Sequence, residues 1–306
     1  MKNTTITNHS LIEDYLTALR QEGKSAWTIR HYGWHLRRMA DWLLKQSIAD
    51  PKMVTRRMLR RWGAEIQDHW QPATVKQAIV AARSFFAWLT EEGIITTNPA
   101  QALKVPHVPM RMQRTLSATE IQRLLEATSG DDAKAVRDRA MIALLADSGL
   151  RAGELCRLRL KDVSLVLHCV TIIGKGNKQA KAYFGIRAGE YLQAWLKIRL
   201  VWLEERGLSD PDTFFFGLGG IKPGTPLTTS GLRAVLQRRG KEAGVEGVSP
   251  HAFRRAFATL AIINGAPTRV VQEFGRWGDV QMVERYTQAL RSDASLFMRY
   301  SPVDHL

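Results

Sequence analysis

The sequence predicts a mainly α-helical protein of two domains, the second carrying a small antiparallel β-sheet. Three observations lead there. Four segments in the first hundred residues repeat apolar side chains at three- and four-residue spacing, each closed by a turn signal. The stretch KVPHVPMRMQR at 104–114, with two prolines and scattered cations, then interrupts the pattern as an extended connector would. Beyond it helical periodicity resumes, broken once by two β-branched and aromatic runs on either side of GKGNK.

The first four helices are expected at 10–22, 25–46, 54–68 and 72–92. In the last, Val75, Ile79, Ala82, Phe85, Phe86 and Leu89 mark one buried stripe, and Gly93 stops the helix. Ser117, with Glu120 three positions on, forms a capping box that opens the second domain. The expected division is a first domain over 1–107, a linker over 108–116 and a second domain over 117–306. In the second, helices are expected at 117–128, 132–147 and 152–160, then strands at 166–173 and 180–185. Further helices come at 187–206, 228–243, 251–264, 268–275 and 279–290, with GLGGIKPG (217–224) as a loop.

Length and composition narrow the function. The 306 residues suit two domains, and 45% hydrophobic with 24% charged residues is ordinary globular usage, which excludes collagen-like and disordered chains. Lys and Arg number 44 against 29 Asp and Glu, a net charge of +15. Such a surplus suits a polyanion, because each neutralised phosphate releases condensed counterions. Nucleic acid is therefore the leading partner and an anionic membrane surface the second. The surplus is shared: through residue 115 there are 17 Lys and Arg against 9 Asp and Glu, and beyond it 27 against 20. That distribution fits a clamp around a duplex. Cys156 and Cys169 make neither a disulfide framework nor a CxxC, which implies a reducing cytosol. No signal-like apolar segment or run of 18 apolar residues is present, so a soluble, cytoplasmic protein without a membrane partner is expected.

Five stations carry candidate chemistry. In DSGLRAGELCRL, Arg151 follows a glycine at a helix opening, with Glu154 one turn later; a guanidinium fork near a helix N-terminus suits a phosphate. At the hairpin tip, Gly174 and Gly176 allow a sharp turn from which Lys175 extends as a mobile proton donor, with Lys178 beside it. In HAFRRAFATLAIING, His251 and Arg254 share a helical face and could combine proton transfer with charge neutralisation at one phosphate. Trp277 offers an indole N–H to a phosphate oxygen, and Tyr286 a hydroxyl that neighbouring cations would activate. Taken singly, each also describes an ordinary ion pair, turn or core aromatic.

Taken in order, Arg, Lys, His-x-x-Arg, Trp and Tyr resemble the tyrosine recombinases of the phage integrase family, and are similar to its Xer and transposon-encoded branches. GLRAGEL resembles the family's first arginine box, GKGNK its hairpin lysine, HAFR its His-x-x-Arg box, and Tyr286 its nucleophile. The spacing agrees: Lys175 lies 24 residues after Arg151, Tyr286 35 after His251, and Trp277 nine before Tyr286. The first domain, ending in TEEGIITTNPA, is similar to the family's four-helix, SAM-like core-binding domain. Two departures stand out. Arg276-Trp277-Gly278 replaces the Gly-His-Ser of many members, and Arg255-Ala256 replaces a frequent His-Thr.

The resemblance implies site-specific recombination for DNA integration, excision or resolution. Tyr286 would attack a phosphodiester, leaving a 3′-phosphotyrosine and a free 5′-hydroxyl, and strand exchange would pass through a Holliday junction. Arg151 and Arg254 would hold the non-bridging oxygens, Lys175 would protonate the leaving oxygen, and His251 would assist Tyr286. Trp277 would donate its N–H, with Glu154 in support. Fixed cations then stand where many nucleases use magnesium, so no metal and no cofactor is expected. The implied partners are a double-stranded DNA recombination site and a homo-tetramer on synapsed DNA, or a mixed assembly with a related recombinase. The tail, with Leu296, Phe297 and Tyr300, would dock on the adjacent protomer or fold back on its own domain. A tyrosine-type topoisomerase and a catalytically inactive DNA-binding regulator remain the alternatives.

Arg37, Arg38, Arg56, Arg57, Arg60, Arg61, Lys178 and Arg255 are the candidate DNA contacts. His31 and His35, four apart but without further ligands, read as helix-surface or DNA-facing residues. Of Trp27, Trp34, Trp42, Trp62, Trp70 and Trp88, most are expected in the core.

Overall fold

The computed structural model describes residues 7–106, 114–174, 179–220 and 222–287. The chain divides into two compact units, Met1–Arg111 and Met112–Leu306. Of the expected linker, only 114–116 falls among the described residues, and Lys175, Lys178 and the expected docking tail fall outside them.

The first unit holds four helices: α1 (Asn8–Gln21), α2 (Ala26–Lys45), α3 (Arg56–His69) and α4 (Pro72–Glu91). Each begins where its sequence provides a start. The hydroxyls of Thr7, Ser25 and Thr55 accept from backbone amides of the first turns, and Pro72 opens α4. The apolar stripes meet in one core that includes Ile12, Leu36, Met39, Leu59, Trp62, Phe85 and Phe86. Trp42 and Trp62 are buried, and Trp70 and Trp88 pack against the core, but Trp27 and Trp34 stay 66% and 43% exposed.

His35 does not occupy the surface position expected of it. It is 1% exposed, because the helical period places it on the face of Met39 and Leu43. Its ring lies 4.6 Å from that of His31, 4.7 Å from Trp34 and 5.9 Å from Trp70, and neither ring nitrogen has a hydrogen-bond partner among the described residues.

In the second unit, α5 (Ala118–Glu126) starts on the expected capping box: Glu120 N–H donates to Ser117 Oγ at 3.1 Å, and Ser117 N–H to Glu120 Oε2 at 3.0 Å. Then come α6 (Ala133–Ser148), α7 (Ala152–Cys156) and an antiparallel sheet of β1 (Val163–Ser164), β2 (Cys169–Ile173) and β3 (Gln179–Tyr183) in that order. The remaining helices are α8 (Ile186–Glu204), α9 (Thr229–Glu242), α10 (Pro250–Ile263), α11 (Thr268–Phe274) and α12 (Val280–Thr287). Most of α6 is buried, and Met141, Ile142, Leu144 and Leu145 sit at the centre of the core. Asp138, fully buried on α6, accepts from Arg137, Arg238 and Arg239, joining α6 to α9.

Two expectations need correction. The helix expected over 152–160 ends at Cys156. Backbone groups of the next residues pair elsewhere: Phe214 N–H donates to Leu158 O at 2.7 Å and Leu160 N–H to Asp212 O at 3.1 Å. The single strand expected over 166–173 is a turn followed by β2, and β1, which precedes that turn, makes the sheet three-stranded through Val163↔Val170. The turn residue His168 has a left-handed backbone, with φ 47°. In the β2–β3 hairpin, Ile173 faces Gln179, and these two residues frame the segment of Lys175 and Lys178.

Burial, aided by the neighbouring His31 and Arg38, pulls the His35 imidazole from 6.5 down to about 4. The folded chain therefore prefers the neutral ring, and this preference stabilises it fully above pH 6.5. The stabilisation is lost progressively as pH falls from 6.5 toward 4, by roughly 3 kcal/mol in all. Chemical denaturation across that range should show a shallower pH slope in His35→Phe than in the unaltered chain; equal slopes would contradict the assignment.

Candidate active site

The site begins at the end of α6. Gly149 caps that helix with a left-handed backbone, φ 56°, and a Cβ there would lie 2.8 Å from Phe257 Cδ1, so glycine is required twice over. The turn drives Leu150 into the core and sets Arg151 at the opening of α7. Arg151 donates its backbone N–H to Glu154 Oε2 at 2.8 Å and its Nη1 to Oε1 at 2.7 Å, while its side chain stays 48% exposed. Glu154 is buried, and burial pushes its carboxyl up. The hydrogen bonds from Arg151 and the charges of Arg276 and Arg151 outweigh that and hold it below the usual carboxylate range.

A second segment enters from α10. Ser249 Oγ caps it and Pro250 occupies its first turn. His251 is exposed; Arg254, one turn further, is 3% exposed. Arg254 donates Nη1 to Gly149 O and Nη2 to Gly275 O, and its guanidinium carbon lies 4.3 Å from the centroid of the Trp277 ring. Burial, then repulsion from Arg151 and Arg276, lowers its pKa to about 10, which leaves it charged at neutral pH. Partial desolvation, then the charges of Arg255, Arg254, Arg233 and Arg151, lower the His251 pKa, which favours the neutral ring as a proton acceptor. Arg255 donates Nε to Arg114 O at 2.8 Å.

The third segment is the turn after α11 together with α12. Gln272 and Trp277 close the turn with two hydrogen bonds, Trp277 N–H to Gln272 O at 3.0 Å and Gln272 Nε2 to Trp277 O at 3.2 Å. The Trp277 ring folds over Gly275 so closely that a Cβ there would lie 1.8 Å from Cζ3. On α12, Val283 is buried and Tyr286, three residues on, shares its face. The Tyr286 ring packs on Trp277 with centroids 5.6 Å apart, and Thr259 Oγ1 donates to Tyr286 O at 3.3 Å. Ala258, Val271, Trp277 and Val283 form a small separate core beneath this corner.

Arg151, Glu154, His251, Arg254, Arg255, Trp277 and Tyr286, from three distant stretches of sequence, thus converge. Tyr286 lies within electrostatic reach of Arg254 and Arg255. The candidate DNA contacts Arg37, Arg38, Arg56, Arg57, Arg60 and Arg61 belong to the first unit and are exposed on α2 and α3. Arg37 donates Nε and Nη2 to Glu13 Oε1 at 3.0 and 2.7 Å, and Arg38 stacks on Trp34 at 4.3 Å.

The profile described as "Phage integrase family" matches residues 114–292, and "Phage integrase, N-terminal SAM-like domain" matches 12–93. The chain belongs to the phage integrase family. Tyrosine recombinase XerC of Xanthomonas campestris pv. campestris is 31% identical over 280 residues, covering 91% of this chain and 84% of the relative. Two solved structures share the fold. XerH site-specific recombinase bound to palindromic difH substrate, a post-cleavage complex, superposes with TM-score 0.72 at 22% identity, covering 95% of this chain and 85% of that one. A lambda integrase tetramer bound to a Holliday junction gives 0.68 at 19%, covering 93% and 78%.

Sequence reasoning misses two members of this charge cluster, Arg276 and Arg233. Arg276 is visible there only as a departure in the tryptophan box, and nothing local marks Arg233, which joins through the packing of α9. Among the described residues no group of three or more His, Cys, Asp or Glu could hold a metal ion, and no helix is long and apolar enough to cross a membrane.

Because the Trp277 ring occupies the space a side chain would need, Gly275→Ala should force the indole off Arg254. A stability loss of about 1–3 kcal/mol in chemical denaturation is expected. Unchanged stability would show that the ring does not hold this position.

Proposed function

We propose that this chain is a site-specific tyrosine recombinase that cleaves and rejoins double-stranded DNA through a 3′-phosphotyrosine intermediate. The observation that carries the reading is the convergence of Tyr286 and Arg254 on Trp277, with Arg151 and His251 within electrostatic reach of Arg254.

The chemistry is that of the groups present. The Tyr286 oxygen attacks phosphorus; its proton passes toward His251, whose neutral ring is a competent acceptor. Negative charge grows on the non-bridging oxygens of the five-coordinate phosphorus, and the guanidiniums of Arg151 and Arg254 stabilise it as fixed, preorganised cations. Lys175, two residues beyond the end of β2 in the sequence, protonates the departing 5′-oxygen. Glu154 orients Arg151. Trp277 presses on the Arg254 guanidinium, and its N–H faces the phosphate once DNA is bound. The phosphotyrosine is an ester comparable in energy to the bond broken, so a 5′-hydroxyl from another strand reverses the step without ATP.

The first unit grips the duplex through Arg38, Arg56, Arg57, Arg60 and Arg61, and Arg37, Lys178 and Arg255 add further phosphate contacts. Four copies act on two sites through a Holliday junction; the likeness to the lambda integrase tetramer on such a junction supports this assembly. The reaction takes place in the cytoplasm on bacterial or phage-associated DNA, for integration, excision or resolution.

The test incubates the protein with a pool of nicked suicide duplexes of randomised core sequence and looks for a covalent adduct. The unaltered chain should form one on a subset of sequences. Tyr286→Phe should lose it entirely while binding DNA as before; a surviving adduct would mean another nucleophile.

A further inference from the structure

Arg276 lies where a side chain is hardest to accommodate. Its backbone is left-handed, φ 57°, one of four non-glycine residues with positive φ among those described. Glycine adopts this conformation without strain, whereas an arginine does not. The side chain is nevertheless drawn inward, to 11% exposure. Its Nη1 donates to Phe274 O at 2.9 Å, and its Nη2 approaches Glu154 Oε2 at 3.4 Å. Both Nη atoms also reach Ser148 O, at 3.4 and 3.5 Å. The Nε is buried with no hydrogen-bond partner among the described residues.

Those contacts join the end of α6, the α7 carboxylate that orients Arg151, and the turn that presents Trp277. Glu154 consequently lies between two guanidiniums, with Oε1 on Arg151 and Oε2 shared between the Arg151 amide and Arg276. Without Arg276 the carboxylate would keep only partners from its own helix turn, and the 148–154 loop would lose its tie to the 274–277 turn.

We infer that Arg276 is a positioning residue of the cleavage site: it fixes Glu154, and through it the Arg151 fork, in register with Trp277 and Tyr286. The inference rests on the recombinase reading, and it concerns the rate of the chemical step rather than the grip on DNA. A misplacement of the phosphate-holding group of about 1 Å is enough to cost up to about a hundredfold in rate.

The test uses the full chain and the same nicked duplex pool, following single-turnover adduct formation against protein concentration. Arg276→Gly removes the guanidinium and relieves the backbone strain together, so the fold should be kept. Its maximal rate should fall about 10- to 100-fold, with the half-saturating protein concentration and the melting temperature unchanged. Arg276→Lys keeps the charge without the fork and should recover part of the rate. Millimolar guanidinium ion should partly rescue Arg276→Gly and leave the unaltered chain as it was. Full-rate cleavage by Arg276→Gly overturns the inference, and so does a rate loss matched by equal losses in DNA affinity and melting temperature. An unaltered chain that forms no adduct, or a Tyr286→Phe chain that does, would instead overturn the recombinase reading.

Discussion

The buried guanidinium of Arg254 is the constraint around which the second unit's chemistry is arranged. A charge taken out of water is expensive unless dipoles replace the lost hydration. Here two backbone carbonyls and the face of an indole do so: Gly149 O, Gly275 O and Trp277. Both carbonyls belong to glycines that tolerate no side chain, one because its backbone is left-handed and Phe257 crowds it, the other because Trp277 lies on top of it. One cation thereby brings residues 149, 254 and 275 together. Arg151 and Tyr286 are placed in turn, the first by its position two residues past Gly149 and the second by its packing on Trp277.

Around this anchor positive charge is in excess. Arg151, Arg254 and Arg276 surround a single buried carboxylate, Glu154; desolvation first, and repulsion from neighbouring arginines second, lowers the pKa values of Arg254 and His251. The cluster carries excess positive charge, and in the proposed reaction a phosphate, more so one gaining charge in a transition state, would relieve it. The folded chain holds the cations in place beforehand, so the proposed cleavage would need little reorganisation. His251 is held toward its neutral form by partial desolvation first and by the surrounding arginines second, which leaves its ring open to a proton.

Much of this was legible in the sequence. Helical periodicity located α1 to α4, and the Ser117–Glu120 box located the start of α5, because both depend on local spacing. The boxes around Arg151, His251, Arg254, Trp277 and Tyr286 were recognisable by order and distance. The failures were non-local. Residues 158–160 leave the helix because strand-like partners at 212–214 claim their backbone groups, and no nearby residue announces that. His35 is buried because the aromatic rings of α2 and Trp70 close over it. The contacts of Trp277 with both Arg254 and Tyr286, and the inward course of Arg276 from a left-handed backbone, arise only when α7, α10 and the turn after α11 meet.

Hydrogen exchange on Arg254→Ala tests the anchor most directly. If that guanidinium ties the turns together, amides at 149–154 and 275–280 should lose protection in step, while those of α6 and α8 stay protected. Loss confined to one of the two turns, or protection unchanged in both, would contradict the account.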